Sequence, residues 1–210
     1  MKLLISIICI DRDIFNIPYL SEVTKNYDLL IICRITDIIS DMFKLFRKVN
    51  VIKVPNYIIK GRHNMEMICH KRNTALMYAK VNKYDKLLFI DSDLRPKEQD
   101  ISDVLILSEK YPIISLLYPI KWTESRFAVA YKDSLFMDSR QLPIEGVYKN
   151  INICKIDGSG VGFCLISVFD IPFEVKNVGG IIGEDIGFFW NLRNKGVMVV
   201  SIPGRIIEHR

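Results

Sequence analysis

The segment Leu87-Leu88-Phe89-Ile90-Asp91-Ser92-Asp93 decides the fold. Its unbroken apolar run reads as a strand buried on both faces. Strands of that kind belong to parallel sheets covered by helices. The run ends on two carboxylates spaced two apart. Ligands of such sheets bind beyond the carboxyl ends of the strands, so Asp91 and Asp93 stand where chemistry is expected. Hard divalent cations such as Mg²⁺ or Mn²⁺ take one or two carboxylates plus substrate phosphates. Asp-Ser-Asp therefore suits a metal–diphosphate clamp, with a solvated acidic turn as the plain alternative.

Upstream of this segment, Lys2–Ile10, Asp28–Cys33 and Val51–Val54 read as strands. Pro18–Lys25, Asp41–Lys48 and His63–Val81 read as helices, the last with Met67, Ala75, Leu76 and Ala79 on one inner face. Downstream, Pro96 and Glu98 open a helix through Ser108, and Ile113–Tyr118 forms a fifth strand. Repeated strand–helix units imply a mostly parallel sheet with right-handed crossovers. Beyond them, Phe127–Tyr131, Gly146–Ile156 and Phe163–Val168 read as β segments. Glu184–Asn194 is a helix stopped at Gly196, and Val197–Ile202 is a last strand. The expected architecture is a single α/β/α domain over residues 1–210. Its central sheet is mostly parallel, with a small antiparallel β portion in the C-terminal half.

Composition narrows the function. The chain has 210 residues, 50% hydrophobic and 25% charged, with a net charge of +5. That is a globular composition, and the length suffices to bury a full core. Roughly one residue in six is Ile, which favours strands. The mild basic excess does not argue for nucleic acid, but it favours a phosphate-bearing ligand. No apolar run is long enough to span a bilayer. Lys2–Ile10 is short and meets Asp11-Arg12-Asp13 directly, so it reads as a strand and not as a signal peptide. Cys9, Cys33, Cys69, Cys154 and Cys164 are scattered and lack C-x-x-C spacing. They read as reduced core residues of a cytoplasmic protein, with loose attachment to a membrane left open.

Three further stretches carry chemistry. Gly183-Glu184-Asp185 opens a helix, where the dipole stabilises acidic residues and a rigid element can hold a general base. Glu208-His209-Arg210 follows the last strand, and an imidazole there can complete a metal site begun by carboxylates. Asp157-Gly158-Ser159-Gly160-Val161-Gly162 permits close backbone approach to a ligand, without matching a dinucleotide-binding fingerprint. The chain has no Walker A lysine motif, no G-x-S-x-G elbow and no H-E-x-x-H.

The order of these signals resembles the GT-A-fold glycosyltransferases that use nucleotide sugars, family 2-type enzymes above all. The likeness covers nearly the whole chain. His70-Lys71-Arg72-Asn73 is similar to the family's A-R-N helix before the D-x-D strand. GSGVGFCLIS at Gly158–Ser167 is similar to its strand beside the sugar, and GEDIGFFWNLR at Gly183–Arg193 to its E-D-x-x-F-x-x-R helix.

The resemblance implies that Asp93 coordinates Mn²⁺ or Mg²⁺ on the diphosphate, with Asp91 at the ribose or a metal-bound water and His209 a further ligand. It implies Asp185 as the base that deprotonates an acceptor hydroxyl, and hence inversion. Glu184 and Gly160 would meet sugar or acceptor, as would Lys121 and Trp122 after the fifth strand. Ile10, Asp11, Arg34, Arg72 and Ser92 would surround the nucleotide. Residues 1–118 form the nucleotide half and 119–210 the acceptor half. The donor is a nucleoside-diphosphate sugar, UDP by default, and the acceptor is a glycan or another hydroxyl compound.

Two departures stand out. Cys33-Arg34-Ile35-Thr36-Asp37 replaces the family's D-D-x-S-x-D, and no proline follows the first strand. The chain also stops at Arg210, where relatives often continue, so a single domain of a longer protein is one expectation. Other functions stay open. A haloacid-dehalogenase-type phosphatase would use Asp91 and Asp93, but there the motif follows the first strand. A sugar-nucleotide nucleotidyltransferase would carry a Gly-rich basic loop after strand one. A nucleotide- or carbohydrate-binding module would have lost catalysis.

Overall fold

The computed structural model describes residues 1–9, 11–55, 63–119, 129–133, 135–167, 169–178 and 181–209. The first half alternates as the apolar runs require: β1 (Leu3–Ile8), α1 (Ile17–Val23), β2 (Asp28–Arg34), α2 (Ile39–Phe46), β3 (Asn50–Val54), α3 (His63–Val81) and β4 (Lys86–Asp91). A two-residue strand β5 (Leu94–Arg95), α4 (Glu98–Leu107) and β6 (Ile113–Ser115) follow. The second half holds β7 (Val129–Lys132), β8 (Leu135–Asp138), β9 (Gly146–Tyr148), β10 (Ile151–Ile156), β11 (Gly158–Ser159), β12 (Phe163–Ile166), β13 (Lys176–Val178) and β14 (Ile181–Gly183). It ends with α5 (Glu184–Asn194), β15 (Val199–Ser201) and β16 (Glu208–His209).

Among the described residues, nine strands form one sheet in the order β3-β2-β1-β4-β12-β6-β15-β10-β9. The β3-β2-β1-β4 run is parallel. β12 enters antiparallel between β4 and β6. β15 lies parallel to β6, while β10 and β9 close that edge antiparallel. The expected α/β/α sandwich with a mostly parallel centre and antiparallel additions is the observed one.

Alternate residues of each strand feed opposite layers. Leu4, Leu30, Leu87 and Phe89 pack on one face with Ala75, Leu76 and Ala79 of α3 and Phe188 and Leu192 of α5. Ile5, Ile31, Leu88 and Ile90 pack on the other with α1, α2 and α4 through Leu20, Phe43 and Val104. Burying each of these Leu, Ile, Val and Phe side chains contributes roughly 1.5–3 kcal/mol, and a one-residue slip would reverse every side chain. That fixes β4, and with it the height at which Asp91 leaves the sheet.

Several expected boundaries shift, and three of the changes have a visible cause. The helix expected at Asp41–Lys48 begins at Ile39, because Asp11 Oδ1 accepts the Ile38 and Ile39 N–H groups at 2.9 and 3.1 Å. That cap is distant in sequence. The strand expected over Ile113–Tyr118 ends at Ser115, beyond which Leu117 bridges Ile206. The segment Gly146–Ile156 is a hairpin, β9 and β10, turning where Lys149 and Asn150 have φ of 47° and 67°. Two successive left-handed residues make the turn whose twist suits a two-residue hairpin. Among the described residues, no helix is long and apolar enough to cross a membrane.

Candidate functional site

Asp91 is the last residue of β4, and β12 lies beside it with Phe163 opposite Ile90. The Asp91 N–H donates to the Gly162 carbonyl at 2.7 Å, which lays the glycine-rich loop against the first carboxylate. A Cβ on Gly162 would stand 2.7 Å from both Asp91 Oδ2 and the Tyr118 hydroxyl, and one on Gly160 only 2.3 Å from that hydroxyl. The glycines here serve close approach. Gly162 N–H donates to the Tyr118 oxygen at 3.0 Å. Burial, with the charge of Asp91 added, holds the Tyr118 phenol well above its usual pKa. Tyr118 belongs to none of the sequence motifs. An aromatic just beyond the carboxyl end of a central strand is the signal that would have marked it.

Arg72 rises from the middle of α3 and is 2% exposed. Its Nη1 donates to Glu184 Oε1 at 2.9 Å and its Nη2 to the Asp91 oxygens at 3.3 and 3.4 Å. The guanidinium lies 5.6 Å from the centre of the Phe173 ring. Burial works against its charge, but Asp91 and Glu184 outweigh that and raise its pKa. Burial likewise raises the Asp91 carboxyl, with Arg72 opposing.

Glu184 and Asp185 fill the first turn of α5, where free N–H groups and the dipole favour acidic groups. Asp185 Oδ1 accepts the Ile186 N–H at 2.8 Å. Burial pushes its carboxyl up to about 6, with the Glu184 charge adding and Arg72 opposing. Such a carboxyl is ionised at neutral pH yet basic enough to take a proton from a reacting hydroxyl.

His209 arrives from the other end of the chain. β16 pairs antiparallel with β5, just after Asp93. Arg205 anchors this segment by forking Asp100 at 2.6 Å and Asp103 at 2.7 Å on α4. His209 Nε2 lies 2.9 Å from Asp93 Oδ2, and Nδ1 meets the Pro119 carbonyl. A carbonyl only accepts, so Nδ1 donates and Nε2 faces a carboxylate oxygen. A second ring proton or a cation between the two satisfies that contact. Metal-binding histidines are oriented by this kind of outer N–H bond, and neighbouring ligands about Mg²⁺ at ~2.1 Å bonds stand about 3 Å apart. The pair therefore fits a hard cation. Asp91 turns to Arg72 instead, and among the described residues no three His, Cys, Asp or Glu groups gather as a ready cage.

The remaining expected residues sit apart from this cluster in their bonding. Asp11 caps α2, and Arg34 Nε donates to Asp37 at 2.9 Å. The Ser92 hydroxyl donates to Asp13, while Asn16 Nδ2 binds the Ser92 and Leu94 carbonyls at 2.9 and 2.8 Å and sets the turn carrying Asp93. Lys71 Nζ donates to the Cys9 carbonyl at 2.7 Å, fixing the end of β1. Arg12, which the sequence reading leaves unassigned, stands 3.9 Å from Asp93. Ile10, Lys121 and Trp122 lie outside the described residues.

Solved structures are similar to this chain in fold. A mannose-1-phosphate geranyltransferase from Thermus thermophilus aligns over 98% of this chain and 75% of its own, with a TM-score of 0.57 and 8% identity. The fold is GT-A-like. A 4-diphosphocytidyl-2C-methyl-D-erythritol synthase from Anaerococcus prevotii aligns over 100% of this chain and 89% of its own, with a TM-score of 0.50 and 11% identity. At these identities the likeness is one of fold. No protein-family model matches the chain, and no curated protein matches it.

Proposed function

We propose that this GT-A-like chain is a metal-dependent glycosyltransferase. It would move a sugar from a nucleoside-diphosphate sugar, UDP-linked by preference, to a hydroxyl of a glycan or other acceptor. The observation that carries the reading is the approach of three elements to one sheet edge: the Asp91–Asp93 turn, the Glu184-Asp185 helix start tied to it through Arg72, and His209 against Asp93. Residues 1–118 would serve the nucleotide and 119–210 the sugar and acceptor.

Asp93 and His209 would hold Mn²⁺ or Mg²⁺, with Asp91 beside them. The bound cation supplies neutralisation of the departing diphosphate. Asp185 takes the proton of the acceptor hydroxyl. The acceptor oxygen then bonds to the anomeric carbon as that carbon's bond to the phosphate oxygen breaks, and the nucleoside diphosphate leaves. Attack opposite the leaving group inverts the anomeric centre. Tyr118 and the glycines at 160 and 162 line the same edge, so the transferred sugar is expected against that loop.

A second reading is nucleotidyl transfer to a sugar phosphate; one solved structure's name carries a diphosphocytidyl group and the other's a sugar phosphate. Asp11-Arg12-Asp13 after β1 speaks against it, since that chemistry needs a glycine-rich basic loop there. Phosphatase and binding-module readings leave Asp185 without work.

The test is turnover and nucleotide binding in wild type and Asp185→Asn. The proposal expects transfer from a nucleoside-diphosphate sugar, lost in the variant by at least ~100-fold, with nucleotide affinity unchanged. Transfer that survives in the variant, or a wild type that binds but never transfers, overturns it.

A further inference from the structure

Arg72 matches a helix motif expected to touch nucleotide, yet its surroundings argue for other work. The side chain is 2% exposed and points between two carboxylates on different elements, Asp91 on β4 and Glu184 on α5. Its Nη atoms are used on them, and its Nε is buried without a hydrogen-bond partner among the described residues. A nucleotide ligand would present donors outward. This guanidinium instead spans from the metal motif to the start of the helix that carries the base. Next to it, Asn73 exchanges 2.8 Å bonds with both the N–H and the carbonyl of Phe173, and Gly187 of α5 packs on the carbonyl of Glu174. The same turn of α3 therefore also holds the segment leading into α5.

We propose that Arg72 is a positioning residue that fixes the start of α5, and so Asp185, relative to Asp91, and is not a ligand of the nucleotide. The roles of Asp91 and Asp185 rest on the function proposed above, but the strut itself is a property of the free protein. A planar fork is needed, because one donor direction faces Asp91 and the other Glu184. The charged and titratable groups that act on Asp185 are Glu184 on its own helix, Arg72 and Cys69 on α3, and Tyr118. Burial keeps the Cys69 thiol and the Tyr118 phenol protonated, so loss of Arg72 leaves Asp185 beside the Glu184 charge without its cation.

Arg72→Gln, Arg72→Lys and Glu184→Gln test this in the full chain. The first readout is the titration midpoint of the Asp185 carboxyl by ¹³C NMR without ligand, and the second is transfer rate against pH. Arg72→Gln is expected to raise the midpoint by about one unit, which is tenfold in ionised base at low pH. It should lower kcat at least tenfold, with part of the loss regained as pH rises. Arg72→Lys should keep the midpoint but recover only part of kcat, because the fork is gone. Glu184→Gln should lower the midpoint and, by removing one arm of the fork, also lower kcat. Arg72→Lys decides the matter if Arg72→Gln does not fold, and an unmoved midpoint in folded Arg72→Gln overturns the proposal. So does an Arg72→Lys enzyme with normal kcat and a raised donor KM, which would make Arg72 a nucleotide ligand. Absence of transfer in wild type would defeat the proposed reaction, while the NMR titration would still judge the strut.

Discussion

Asp185 shows how a sequence-level motif acquires chemistry only through its surroundings. At the start of a helix a carboxylate is ordinarily comfortable, yet burial and the adjoining Glu184 raise this one to about 6, against an ordinary 3.8. The native state therefore holds its proton more tightly than the unfolded chain does. The associated stability is present below pH ~4 and is lost as pH rises through about 6. Asparagine has no such term. Asp185→Asn should thus unfold at a higher temperature than wild type at pH 7.5, and the gap should close towards pH 4. Its size is on the order of 1–2 kcal/mol, less than two full pKa units would give, because Asp185 and the adjoining Glu184 titrate together and share the effect. Thermal melts at the two pH values check this. As the base proposed above, the same group is expected to set an acid limb, with kcat/KM falling as pH drops below about 6.

At the scale of elements, α5 is the best-read part of the chain. Its bounds, Glu184–Asn194, follow from an acidic first turn and from Gly196, which adopts a φ of +67° just past the end. What the sequence does not disclose is how close the helix comes to its neighbour. A Cβ on Gly187 would lie 1.8 Å from the Glu174 carbonyl oxygen, a backbone atom that cannot rotate away. Gly187→Ala should therefore push α5 off the 174 segment, costing roughly 1–3 kcal/mol. It should also lower turnover by displacing Glu184 and Asp185, read by melting temperature and rate together. Elements whose signals are local came through well: the apolar runs of β1, β2 and β4, and α3 with its inner Ala75, Leu76 and Ala79. Elements fixed by distant partners did not. The N-terminus of α2 depends on Asp11, and β5 and β16 exist only because they pair with each other.

The same division holds for the whole molecule. The parallel half is a consequence of repeated strand–helix units, whereas nothing local reveals that Phe163–Ile166 would run antiparallel between β4 and β6. That insertion is what lays the glycine-rich loop on Asp91 and surrounds Tyr118. Likewise the motif residues Asp93 and His209 are 116 positions apart, and they meet because Arg205 ties the C-terminal segment to α4. Asp100 and Asp103 are 3% and 5% exposed. Removing Arg205 leaves two nearly buried carboxylates without their cation, each keeping one hydrogen bond, from Lys97 N–H and from Gln99, a loss of about 2–4 kcal/mol given that Arg205 itself is partly in water. Arg205→Ala should also raise amide hydrogen exchange over residues 202–209. It should weaken cation-dependent nucleotide binding as well, although Arg205 touches neither Asp93 nor His209 in the contacts described.

The proposed function requires the carboxyl end of β4 to bind a nucleoside diphosphate through a divalent cation. Isothermal titration of the folded wild-type protein with UDP, GDP and dTDP, each with and without Mn²⁺, measures this. One of the three, UDP first, is expected to bind with Mn²⁺ present and at least tenfold more weakly without it. Binding of none of them, or binding indifferent to the cation, would rule out a cation-bridged diphosphate at this site.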